Sequence, residues 1–123
     1  MSEKELVELW NSKRTQLTRA QLHSVIAIAV LTFVAVVGDL QIASMEAKLF
    51  ATAFLITVGV LGNLTQLAII REAQSVVSEL STHENPGPVA RTIAQSGRYL
   101  NMTIGLMITS SLVVFGSFAL VVL

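Results

Sequence analysis

The residues from Leu49 to Ile70 form a run of 22 with no charged side chain. At about 1.5 Å per residue, a helix of that length reaches roughly 33 Å, enough to cross the hydrocarbon of a bilayer. Nothing stops the helix there, because Arg71 to Ser81 contains neither Gly nor Pro. The pattern therefore predicts one long helix, 49–82, that crosses a membrane and runs on into water. A soluble reading fails on composition. With 53% apolar residues in a chain of 123, there is more apolar surface than so small a core can hide.

Two further apolar segments flank this helix. Before it, Val25 to Gly38 is apolar apart from Thr32, and extended to 22–43 it becomes long enough for a first span. A short apolar run behind Lys13, Arg14 and Arg19 also resembles a signal peptide; a transmembrane helix is expected. After it, the sequence HENPGP (83–88) is a strong turn signal, because the residue before each Pro is pushed out of the helical region. Helix is expected to resume through 90–123, which ends in a third span without charge from Thr103 onward. Gly97 and Gly105 weaken that helix without stopping it. The expected fold is all-α and membrane-integral: three transmembrane helices, with the second and third forming a long hairpin that projects into the cytoplasm.

The first 21 residues have a different character. Ser2 and Glu5 stand at capping-box spacing, and Leu6, Leu9, Trp10 and Leu17 recur at helical intervals among Glu, Lys and Arg. This predicts an amphipathic helix, 2–21, lying on the membrane surface with Trp10 in the headgroup layer. The alternative is that the same face packs on protein.

Orientation follows from counting basic residues. The N-terminal segment and the hairpin tip together hold seven Lys or Arg, whereas the connection 39–48 holds Lys48 alone. The excess predicts a cytoplasmic N-terminus and tip, with the C-terminal end outside, in a membrane of prokaryotic plasma-membrane type. On the projecting arms, Val76, Val77, Leu80 and Ile93 form an apolar seam. A straight antiparallel register would pair Glu72 with Arg98 and Glu79 with Arg91, each worth about 0–1 kcal/mol.

Several polar residues fall within the spans. Gly59, Gly62, Asn63 and Gln66 make a narrow small or polar face on the second helix, and Thr103, Ser110 and Ser117 make a comparable line on the third. Asn63 and Ser110 come to similar depths, so they can bond directly or through water. Such residues commonly hold membrane helices together, and a conduction path ordinarily wants charge that these spans lack. Asp39 is the ionisable residue nearest the first span, read as interfacial rather than as a proton or cation site.

No chemistry rises from the remaining residues. Cys is absent, and His23 and His83 have no second ligand at a diagnostic spacing. Gly59-Val60-Leu61-Gly62 has no lysine beside it, and no Ser has a suitably placed His and acid. Basic and acidic residues balance at eight each, which disfavours nucleic acid as a partner. The expectation is a non-enzyme without cofactor or metal, whose partners are the lipid bilayer and other membrane subunits. A homo-oligomeric channel or small transporter lined by Asn63 and Gln66, or a membrane-bound assembly or regulatory factor, is the alternative.

Overall fold

The computed structural model describes residues 1–122, and its regular structure is entirely helical. Helix α1 runs unbroken from Glu3 to Val37. Ser2 caps it, accepting from the Glu5 N–H at 3.2 Å, while the Ser2 N–H donates to Glu5 Oε2 at 3.3 Å, so the expected capping box is formed. No Gly or Pro follows until Gly38, which leaves the helix without a breaker at residue 21. The amphipathic segment is therefore not a separate surface helix. It is the first half of a helix whose second half is the first span, and that span stays α-helical to Val37 rather than 43.

The chain turns at Asp39, which takes the left-handed conformation at φ 48°. Asp tolerates that region because its short polar side chain can bond locally. Gly38 is needed for space, since a Cβ there would lie 2.7 Å from the Val34 carbonyl oxygen. A single 3-10 turn, Leu40–Ile42, leads to Ser44, which caps α2 (Met45–Ser81) by accepting from the Ala47 N–H at 3.2 Å. Glu46 sits in the first turn of α2, where a negative charge complements the helix N-terminus.

The reversal after α2 falls where the sequence places it. Asn85 has φ 49°, and Pro88 opens α3 (Pro88–Ala94) at the position where a missing N–H costs nothing. The third long helix is interrupted, in contrast to the continuous 90–123 expected. Residues 95 and 96 form a turn, with the Gln95 and Ser96 N–H groups reaching back to Thr92 and Ile93, and α4 then runs from Gly97 to Val122. At this bend Gly97 comes close to α2, where a Cβ would lie 3.9 Å from Val77 Cγ1.

Packing is concentrated at the hairpin-tip end. Leu6, Trp10 and Leu17 of α1 are buried there with Ile70, Ala73, Val76, Val77 and Leu80 of α2, joined by Ala90, Ile93 and Leu100. The seam foreseen on the hairpin arms is thus buried, but α1 covers it as a third layer, and α2 packs more extensively on α1 than on α4. The arrival of α1 changes the ion pairs too. Lys13 of α1 bonds Glu72, and Glu79 lies 3.7 Å from the Met1 ammonium; the expected Glu72–Arg98 and Glu79–Arg91 pairs do not form among the described residues. Glu3 Oε1 accepts from the Gly87 N–H at 3.0 Å, which ties the start of α1 to the tip. A smaller cluster of Leu31, Leu40, Ala51, Leu55 and Val122 closes the far end.

Three helices, α1, α2 and α4, are long and apolar enough to cross a membrane. Within their most apolar 18-residue windows, 6%, 17% and none of the residues are buried in the chain. The membrane-length windows are largely exposed and the tip half is packed.

Candidate functional site

Between the two packed ends, α1, α2 and α4 diverge around a cleft of about 780 Å³. Gln21 and Tyr99 stand at its tip end, and Leu55, Leu112 and Phe115 at its far end. None of its lining residues is charged. Its volume lies in the range of ordinary small-molecule sites, which are mostly apolar with a few placed polar groups.

Asn63, Gln66, Thr103 and Ser110 come from the stripes expected on α2 and α4, and α1 adds Gln21 and Ser24. Gly59, Asn63 and Gln66 follow one another at intervals of four and three, so one face of α2 presents all three to the cleft. Asn63 bonds α4 through its side chain: Nδ2 donates to Ser111 Oγ at 3.0 Å, and Ser111 Oγ lies 3.2 Å from Asn63 Oδ1 and 2.9 Å from the Met107 carbonyl. The partner is thus Ser111, one residue beyond the expected Ser110. Depth alone does not separate neighbours on a helix, whereas their directions differ by about 100°. Ser110 lines the cleft unbonded among the described residues. Thr103 also lines it, with its hydroxyl donated to the Tyr99 carbonyl at 2.9 Å. Ser117 is exposed and lies outside the cleft.

On the other side of the stripe, Gly62 meets α1, where a Cβ would stand 2.9 Å from Ser24 Oγ. Gln66 is only 5% exposed, and its Nε2 reaches Ser24 Oγ at a long 3.5 Å. Ser24 was not legible as a partner from the sequence. Its signal was a small polar residue in the stretch of α1 that an antiparallel α2 brings opposite Gly62. A further pair outside the spans, Gln74 Nε2 to Asn101 Oδ1 at 2.9 Å, links α2 to the start of α4.

The two interfacial candidates lie away from the cleft. Trp10 is buried in the tip core at 5% exposure, against α2–α4 rather than facing outward. Asp39 is exposed at the α1–α2 turn, where its backbone conformation serves the reversal. The His83 ring sits at the tip with Nδ1 3.0 Å from the Glu79 carbonyl and Nε2 3.2 Å from the Met1 carbonyl.

The geometry defines an all-helical chain with three membrane-length helices and an uncharged, partly polar cleft between them. No family model, curated protein or solved structure matches it.

Proposed function

We propose that the chain is a non-catalytic accessory subunit of a larger integral membrane complex and acts by helix packing. The supporting observation is the contrast along α4: its start is locked into the tip core through Leu100, yet no residue of its membrane-length window is fully buried within the chain. Gly105, Thr109 and Gly116 lie exposed along that helix, and a Cβ at either Gly would meet nothing within 4 Å. Small residues of this kind let a neighbouring helix approach closely where lipid supplies no hydrophobic driving force. In this reading the N-terminus and hairpin tip face the cytoplasm, following the basic residues, and the far end of α4 lies outside.

Extraction from the native membrane in a mild detergent should recover other membrane polypeptides in fixed ratio with this chain. Gly105→Leu and Gly116→Leu together should reduce that recovery at least tenfold while leaving the tip core folded. Recovery of a symmetric self-assembly alone, with conductance altered by Asn63→Leu, would replace this reading with the channel.

A further inference from the structure

We propose that the cleft between α1, α2 and α4 binds one neutral, hydroxyl-bearing lipid, with its head at Gln66 and its hydrocarbon directed toward Leu55 and Phe115. This inference concerns the inward face of α4 and does not depend on a partner docking against the outward one.

Gln66 sets the first requirement. A primary amide offers two donors and an acceptor, yet the single hydrogen bond this side chain makes among the described residues is the long one to Ser24. The residue is only 5% exposed, so whatever serves the rest reaches it through the cleft that it lines. No fully enclosed side-chain polar atom among the described residues lacks a partner, so the unserved carbonyl oxygen keeps its surface, and the cleft is what Gln66 lines. Were the amide turned end for end, the NH2 group would be the unserved one. A hydroxyl both donates and accepts, and it satisfies either orientation.

The rest of the cleft limits the ligand. A charged head would enter a site with no counter-charge at membrane depth, which is costly. A plain hydrocarbon would leave Gln66 and Ser110 unserved. The space above Gly59 is open, with nothing within 4 Å of a Cβ placed there. Met102, Leu106 and Met107 offer an adaptable wall for a flexible chain. Polar groups toward the tip and apolar ones toward the far end match the polarity of a single amphiphile.

The test uses native mass spectrometry of the full-length protein in detergent, titrated with monoolein. Methyl oleate, which has the same tail and no hydroxyl, and oleate, which has the same tail and a charge, are the comparators. One monoolein should be retained per chain, about tenfold more tightly than methyl oleate, as one hydrogen bond to a buried amide implies, and oleate should bind more weakly than monoolein. Gln66→Leu should erase the tenfold preference. Gly59→Leu, which fills the open space, should abolish retention. Unchanged emission from Trp10, the sole Trp, reports that the tip core in each variant is intact. Geranylgeraniol separates the sources: binding equal to monoolein assigns an isoprenoid or glyceride head alike, and weaker binding assigns a straight-chain glyceride, both within the proposal. Monoolein held no better than methyl oleate, or an undiminished preference in an intact Gln66→Leu variant, overturns it.

Discussion

Replacing Trp10 with Ala is expected to cost the tip core about 3–5 kcal/mol, the range for emptying a buried aromatic site. The indole stands at 5% exposure in a cluster with Leu6 of its own helix and with Ile70, Val77 and Leu80, which lie on the hairpin arm that α1 must cover to close the core. Its loss leaves a cavity at the one place where α1, α2, α3 and α4 all contribute buried side chains. Thermal unfolding in detergent, followed by circular dichroism, checks this. Trp10→Phe should retain most of the stability because it keeps an aromatic body in the same site. A cost below about 1 kcal/mol for Trp10→Ala would mean that the side chain rests against headgroups instead of protein.

The second large effect is expected at Gly62. A Cβ there would lie 2.9 Å from Ser24 Oγ. A serine hydroxyl can swing aside, so Gly62→Ala should lose little beyond the long Gln66–Ser24 bond. Leu is different, because its outer carbons enter the space that α1 itself occupies, and overpacking of that kind costs about 1–3 kcal/mol. Gly62→Leu should therefore push α1 away from α2, whereas Gly59→Leu, only three residues earlier, meets open space and should not. The chain has no Cys, so spin labels at introduced Cys residues replacing Phe33 and Phe50 report the α1–α2 separation directly. Lengthening in Gly62→Leu alone is the expected result. Equal lengthening in both variants contradicts the packing described.

Much of this architecture is written in local chemistry. The capping box at Ser2 and Glu5, the turn at Asn85 to Pro88 and the three apolar helices each follow from a few neighbouring residues, whereas α2 starts at Met45, four residues before the expected 49. The seam of Val76, Val77, Leu80 and Ile93 was equally plain. What the sequence concealed was which surface each face meets. The period of Leu6, Trp10 and Leu17 marks an apolar stripe but does not distinguish lipid from protein, so α1 read as two helices although nothing between Glu3 and Val37 breaks it. The same third layer diverted Glu72 from Arg98 to Lys13. The bend at 95–96 was hidden because Gln, Ser and Gly are all tolerated in a helix. At the bend, Gly97 passes Val77 at ordinary contact distance. In the cleft, Asn63 and Gln66 were visible as polar residues on an apolar helix, but their partners Ser111 and Ser24 depended on the rotation of α4 and the full length of α1.

In the proposed topology, three helices cross a membrane with the start of α1 and the hairpin tip on one side. Glu3 and Gly87 are already in contact, so those two ends must share a side, and the turn at Asp39 lies at the opposite end of α1 and α2. Single-Cys variants Asn11→Cys, Glu84→Cys and Gln41→Cys, treated with a membrane-impermeant maleimide in sealed vesicles of known orientation, measure this directly. Asn11→Cys and Glu84→Cys should react from the cytoplasmic face alone and Gln41→Cys from the other. Labelling of Gln41→Cys from the same face as Glu84→Cys would contradict the account.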